Sequence, residues 1–146
     1  MQKFLPKDKF NEFISGLIKK YELIAPVKNK NSKFEIIKNP SQIYLKNITD
    51  VPLKQFFLGE NQILFKYKNN KIIEEPIEEK TRVIFGMRLC DLNALEILDK
   101  VSFDESYIKK RKNTILIGLY CNNPDEFCFC NSMELNKKCY NLYFYE

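Results

Sequence analysis

The chain has 146 residues, 45% of them hydrophobic, which is enough for one ordinary core, and no shift in composition marks a second domain within residues 1–146. Its formal net charge of +5 comes from lysines spread along the chain between acidic residues, which argues against the clustered basic patch of a nucleic-acid-binding protein. The absence of histidine excludes any histidine-based catalytic dyad or metal ligand from this chain.

The first part of the chain predicts a helix followed by a hairpin. Residues 8–21 carry apolar side chains at helical spacing between polar ones, which is typical of an amphipathic helix. The apolar segment 23–27, the polar turn 28–33 and the run at 34–37 then predict a β-hairpin. Because Pro26 has no backbone N–H, we expect its strand to lie at a sheet edge or to end there.

The middle of the chain is less regular. Residues 62–67 predict a further strand, and Asn69 and Asn70 predict the turn that follows it. Residues 74–80 are typical of a charged connection, which contains Pro76 and leads to a new strand.

The next part predicts a strand, a helix and a second strand. Residues 82–85 and 114–120 are apolar runs typical of β-strands, and they flank a helical segment at 91–101. Such a crossover returns the second strand parallel to the first. A short helix at 104–111 and an aromatic, strand-like run at 140–146 complete the elements. We therefore predict an α/β fold, with α+β as the alternative: a single small domain whose mixed sheet contains a parallel β-α-β unit, preceded by an N-terminal amphipathic helix.

Four cysteines follow the two strands of this unit. Cys90 comes after the first strand, and Cys121, Cys128 and Cys130 come after the second. The carboxyl ends of parallel strands share one edge, and open α/β sheets bind their ligands outside that edge, so these thiols have a geometric reason to meet. Asp91 can cap the helix beside Cys90, and the positive helix end would lower the pKa of the Cys90 thiol.

The compartment bears on the chemistry of these thiols. No apolar run approaches the roughly 20 residues of a membrane helix, and the amino terminus lacks a signal-peptide pattern, so we expect a cytoplasmic protein with no membrane partner. An odd count of five cysteines in a reducing compartment favours metal or redox chemistry over a disulfide framework.

The residues themselves leave three interpretations of the thiols open. Four thiolates can hold a [4Fe-4S] cluster, and their soft sulfur atoms also suit zinc. The alternative is that the cysteines are buried as small hydrophobic residues beside Phe127 and Phe129, or are linked as disulfides. Cys139 lies outside the motif and is interpreted as an ordinary thiol, although it can replace one of the four.

Arg88 is the cation closest in sequence to these thiols. Beside Cys90 it can offset the negative charge of a thiolate-bound cluster or donate hydrogen bonds to its sulfur atoms, which makes it a candidate cofactor-binding residue. The alternative is an ordinary salt bridge with Asp91 or Asp99. Helix capping and solvation explain these two carboxylates better than acid-base chemistry does.

Two motifs carry a resemblance to a known family. Residues 85–95 match the pattern F-G-x-R-x-C-D-x-x-A-L, and residues 121–132 match C-x-x-P-x-x-x-C-F-C-x-S. The chain thereby resembles the amino-terminal domain of the beta subunit of sulfhydrogenases and of the equivalent electron-transfer subunit of anaerobic sulfite reductases. Members of that family continue with a ferredoxin-like half whose Cys-x-x-Cys clusters relay electrons, and those motifs are not found here. The resemblance implies that this half belongs to a longer chain or to another polypeptide.

These observations lead to one function hypothesis and two alternatives. We expect an iron-sulfur electron-transfer accessory subunit or domain, which docks onto the catalytic and ferredoxin-like subunits of a cytoplasmic oxidoreductase of an anaerobe, of the hydrogenase or sulfite reductase type. A non-catalytic electron carrier is favoured over a stand-alone enzyme, because no nucleophile with a base is found. The alternatives are a structural docking module without a redox centre and a zinc-stabilised domain.

Overall fold

The computed structural model describes residues 4–59, 63, 65–74, 80–135 and 139–145. These residues form a mixed α/β fold around a five-stranded sheet, as the sequence predicts. The strands are β1 (Glu22–Lys28), β2 (Ser32–Ile36), β3 (Phe65–Lys68), β4 (Lys71–Glu74), β5 (Arg82–Met87), β6 (Thr114–Leu119) and β7 (Leu142–Phe144). The α-helices are α1 (Phe10–Lys20), α2 (Leu89–Val101) and α3 (Glu105–Lys112).

The main sheet has the strand order β2-β1-β5-β6-β7, and β3 and β4 form a separate hairpin. β1 pairs antiparallel with β2, whereas β5 is parallel to β1 and β6, and β7 is parallel to β6. α2 and α3 lie between β5 and β6 in the chain. The predicted β-α-β unit is therefore confirmed, as are the N-terminal helix and the hairpin of β1 and β2.

The core has a layer on each face of this sheet, because successive strand residues point to opposite faces. On one face Phe85 of β5 belongs to a cluster that includes Ile14 of α1. On the other face Ile84 of β5 belongs to a cluster with Leu95 of α2 and Tyr107 of α3. Burial of each such side chain contributes about 1.5–3 kcal/mol, so the helices on both faces fix the position of the sheet.

Pro26 does not lie on an edge strand, and this part of the sequence prediction is wrong. β1 is paired on both sides, but its pairing with β5 ends at Ile24. Gly86 of β5 has a φ of +84°, and the register between β5 and β6 shifts around it. A Cβ added at Gly86 would lie 3.1 Å from Cδ of Pro26. Because β1 and β5 no longer pair there, the missing N–H of Pro26 interrupts no ladder bond between them.

The predicted strand over residues 62–67 is observed from Phe65 onward as β3, and residues 62 and 64 lie outside the described residues. Asn69 and Asn70 have φ values of 51° and 56°, so the predicted turn is confirmed, and it joins β3 to β4. The sequence pattern did not predict β4, whose short run is bounded by charged residues. Of the predicted connection, residues 75–79 lie outside the described residues.

The short helix predicted at 104–111 is observed as α3. Asp104 is its N-cap, and its carboxylate accepts the backbone N–H of Tyr107 at 3.0 Å. The basic residues 109–112 lie in its last turn, where they face the negative end of the helix dipole. None of the helices in the described part of the chain has the length and apolar character needed to cross a membrane.

Candidate metal centre

The candidate site lies at the carboxyl ends of β5 and β6, which share one edge of the sheet because the two strands are parallel. α2 begins two residues after β5, and Cys90 is its second residue. Cys121 follows β6 after Tyr120, and the loop that it opens leads to Cys128 and to a single 3-10 turn that begins at Cys130. The four predicted cysteines therefore leave the same edge, as the sequence predicts.

Arg88, and not Asp91, is the N-cap residue of α2. Asp91 is the third residue of the helix and lies in its first turn, where its carboxylate accepts the backbone N–H of Arg88 at 3.3 Å. The sequence prediction that Asp91 caps the helix is therefore correct in part: Asp91 is not the N-cap, but its carboxylate takes part in the cap by accepting the N–H of the N-cap residue. Burial raises the pKa of the Asp91 carboxyl, although the bond from Arg88 and its positive charge act in the opposite direction.

The Arg88 guanidinium joins three segments of the chain. Its side chain is buried, with 8% of the residue exposed, and it donates hydrogen bonds to the carbonyl oxygens of Tyr120 and Leu45, the latter at 2.7 Å. The alternative of an Arg88 salt bridge to Asp99 is not observed, because Asp99 pairs with Arg111 at 3.1 Å. Arg88 therefore holds the segment that precedes Cys121 against the start of α2.

The Cys90 and Cys130 side chains lie near enough for Cys130 to influence the pKa of the Cys90 thiol, although the two residues are far apart in the sequence. Cys90 is exposed as a residue, but partial desolvation of its thiol raises the pKa to about 12, and the negative charges of Asp91 and Cys130 contribute to this rise. The prediction that the pKa of Cys90 is lowered is therefore wrong. The amino end of α2 is present, but desolvation, a neighbouring carboxylate and a neighbouring thiol outweigh it.

The loop between Cys121 and Cys130 bends through a tight turn at Asp125. The Cys128 backbone N–H donates to the carbonyl of Asp125 at 3.2 Å, and the Asp125 backbone N–H donates to Sγ of Cys128 at 3.3 Å. The Asp125 carboxylate also accepts the N–H of Phe127 at 2.9 Å. Sequence reasoning missed Asp125, although aspartate favours turns of this kind by accepting from the backbone two residues ahead.

Cys128 lies near Cys130, because the charge of Cys130 contributes to the pKa of the Cys128 thiol. The N–H of Asp125 lowers the pKa of the Cys128 thiol, but the Asp125 side chain, partial desolvation and nearby negative charge leave that pKa raised overall. Cys128 is exposed, and so are Phe127 (79%) and Phe129 (66%). The alternative of a cysteine buried among these phenylalanines therefore does not describe Cys128.

Cys121 and Cys139 have different surroundings. Cys121 is half-buried and lies close enough to Tyr143 to influence the pKa of that phenol, which burial raises to about 12. Cys139 packs against the core and accepts a hydrogen bond from Asn93 at 3.5 Å, which agrees with its interpretation as an ordinary thiol. All five cysteines are free thiols, so the disulfide alternative is not observed.

The thiols are only partly gathered. Among the described residues, no three Cys, Asp or Glu side chains converge closely enough to hold a metal ion. The structure places Cys90 and Cys130 near each other, and Cys128 near Cys130. A complete four-sulfur site would need the loop that carries Cys121 and Cys128 to close on that pair.

Comparison with known proteins supports part of the resemblance seen in the sequence. The chain is 33% identical to sulfhydrogenase 2 subunit beta of Pyrococcus furiosus over 135 residues, which cover 88% of this chain and 40% of that protein. The chain thus spans about 40% of the length of the curated relative that it matches. No protein-family model matches the chain, and no solved structure matches it. The similarity supports a relation to the sulfhydrogenase beta subunits.

Proposed function

We propose that this chain is an iron-sulfur electron-transfer component of a larger oxidoreductase. The observation that carries the proposal is that the Cys90 thiol, at the start of α2, and the Cys130 thiol, from the loop after β6, lie near each other at the carboxyl edge of the sheet. The similarity to a sulfhydrogenase beta subunit supports the same function.

Cys90, Cys121, Cys128 and Cys130 are the residues that would hold a [4Fe-4S] cluster. The donor set fits such a cluster chemically, since sulfur is the ligand that iron-sulfur centres use and no histidine competes for the metal. When bound, the cluster supplies one-electron exchange at this edge. The exposed loop that carries Cys121 and Cys128 is free of regular secondary structure before Cys130, so it can adjust around a ligand.

Asp125 and Arg88 hold two of these cysteines in position at the carboxyl edge of the sheet. The Asp125 N–H already donates to the Cys128 sulfur, and backbone N–H groups of this kind tune cluster potentials. Arg88 acts as a positioning residue, because it binds the Tyr120 carbonyl directly before Cys121. Its positive charge would also offset part of the negative charge of a thiolate-bound cluster. We therefore propose Arg88 as a cofactor-binding residue.

The setting of this function is also part of the proposal. We infer a cytoplasmic complex of an anaerobe, of the hydrogenase or sulfite reductase type, in which catalytic and ferredoxin-like subunits exchange electrons with this domain. The relative is named as a sulfhydrogenase subunit, and the residues matched here cover less than half of it. We propose that this chain corresponds to the amino-terminal domain of such a protein, with the ferredoxin-like part supplied by further residues or by another polypeptide.

Anaerobic reconstitution with iron and sulfide tests the proposal. We expect about four iron and four sulfide per chain in the wild-type protein, with visible charge-transfer absorption that bleaches on reduction. Cys90→Ser and Cys130→Ser should each lose most of this iron. Cys139→Ser is the matched control and should retain it, because Cys139 binds Asn93 beside the core. A colourless wild-type protein without iron would contradict the proposal.

A docking module without a redox centre is a second candidate, and the exposed Phe127 and Phe129 favour it. In that case Cys128→Ser and Cys130→Ser would leave both complex assembly and electron flow intact. Loss of electron flow in a complex that still assembles would exclude this candidate. Zinc in place of iron in the purified protein would instead identify a zinc-stabilised domain.

A further inference from the structure

A cavity of about 410 Å³ opens at the same edge of the sheet, lined by segments near α1, by residues 40–46 and by the start of the 121–130 loop. No cysteine lines it, and it adjoins the candidate cluster site, with which it shares only Arg88. Its lining contains two cations, Arg88 and Lys46, and no carboxylate. The cavity therefore has a positive electrostatic character.

Arg88 is the buried cation of this lining. Its guanidinium donates to the carbonyls of Tyr120 and Leu45, and among the described residues no carboxylate lies within salt-bridge distance of it. Asp91 interacts with its charge only at longer range. A guanidinium has five N–H groups, so donors remain after these two bonds. A buried charge without an ionic partner is costly, and an anion in the cavity would offset that cost.

The rest of the lining suits an organic anion better than a bare ion. Polar side chains at the mouth include Ser41, Asn122 and Asn123, and Asn123 donates to the Lys46 carbonyl at 3.4 Å, which joins the two loops. Phe10 and Tyr44 add aromatic surface. A volume near 410 Å³ falls in the range of small-molecule sites and leaves room beside a phosphate or carboxylate group.

We infer that this cavity binds a small organic anion, whose phosphate or carboxylate group lies between Arg88 and Lys46 and whose apolar part contacts Phe10 and Tyr44. The site needs no thiol. The inference therefore does not depend on the cluster proposal. The bound anion would lie next to Tyr120, whose carbonyl Arg88 binds directly before Cys121.

Calorimetric titration of the full chain with phenyl phosphate, benzoate and inorganic phosphate tests this inference, with phenol as the neutral probe and chloride to keep ionic strength constant. We expect at least one of the two aromatic anions to bind more tightly than phenol and more tightly than chloride. Tighter binding of phenyl phosphate would identify a phosphate ligand, and tighter binding of benzoate a carboxylate. If neither aromatic anion binds better than phenol, the inference is overturned.

Charge-removing variants locate the site. Lys46→Gln should weaken binding of the preferred anion about fivefold, the factor that corresponds to loss of about 1 kcal/mol. Lys100→Gln is the matched control on an exposed face of α2 and should bind as the wild type does. Arg88→Met should abolish binding of the anion, and circular dichroism checks that this variant is folded. If Arg88→Met does not fold, the affinity of Lys46→Gln for the anion decides the test. If Lys46→Gln binds the anion as tightly as the wild type does, the inference is overturned. The iron content of reconstituted Lys46→Gln should equal that of the wild type, because Lys46 is not part of the cluster site.

Discussion

Gly118→Ala should destabilise the protein, because the ring of Tyr143, on the neighbouring strand β7, packs against Gly118. A Cβ added at Gly118 would overlap Cδ2 of Tyr143 and would lie 2.7 Å from Cε2 of that ring and 3.0 Å from Cδ1 of Leu92. The Tyr143 ring has little room to retreat, since it lies 4.7 Å from the ring of Tyr140 and 5.0 Å from that of Tyr145. The extra methyl group must therefore displace β7 or strain the aromatic cluster.

The magnitude follows from two opposing effects. Overpacking a well-filled core costs about 1–3 kcal/mol. Replacing glycine with alanine lowers the conformational entropy of the unfolded chain, which stabilises the folded protein by about 0.4–1 kcal/mol. We therefore expect a net loss of about 1–2 kcal/mol in the free energy of unfolding of Gly118→Ala. In a chain of this size each kcal/mol corresponds to a fall of roughly 4 °C in melting temperature.

Gly16→Ala is the matched control for the same substitution. Gly16 lies on the exposed side of α1, and a Cβ added there would meet nothing within 4 Å. Because alanine is the better helix former, this variant should gain about 0.5–1 kcal/mol. Urea unfolding of cluster-free, reduced protein, followed by circular dichroism, measures both variants. If Gly118→Ala is as stable as Gly16→Ala, the Tyr143 ring does not pack against Gly118 as described.

The remaining predictions concern three positions outside the cysteine site. Gly86→Ala should cost about 1–3 kcal/mol in a thermal melt, because φ is +84° and the new Cβ would lie 3.1 Å from Pro26; an unchanged melting temperature would contradict this. Burial and the 2.6 Å bond to Asp99 raise the pKa of Tyr107, so its stabilising contribution is complete below about pH 10 and is lost as pH rises further. Tyr107→Phe should therefore flatten the alkaline loss of unfolding free energy, and an equally steep loss would refute the assignment. Asp104→Ala should cost about 1 kcal/mol in urea unfolding, whereas Asp104→Asn retains the cap and should cost much less.

The elements that the sequence predicts well are those with strong local patterns. The apolar runs in β5 and β6 and the helical spacing between them are local features, and they suffice to predict a parallel β-α-β unit with Cys90 and Cys121 at one edge. The amphipathic α1 and the asparagine turn between β3 and β4 are equally local. Residues buried on alternate faces of the central strands follow from the same periodicity.

The features that sequence reasoning misses depend on contacts between distant segments. Pro26 is tolerated inside the sheet because a bulge at Gly86, on another strand, ends the pairing there. The raised pKa of Cys90 depends on desolvation and on Cys130, and the helix end that is visible in the sequence is the weaker influence. The Arg88 partners at Leu45 and Tyr120 come from segments that no local pattern relates to it.

The most direct test of the central claim is X-ray absorption at the iron edge of the anaerobically reconstituted protein. If cysteine sulfur atoms gather at this edge around a cluster, the iron should have sulfur as its only close neighbours, together with a short iron-iron distance that Cys130→Ser weakens or removes. Iron surrounded by oxygen or nitrogen, or an unchanged spectrum in Cys130→Ser, would contradict the claim.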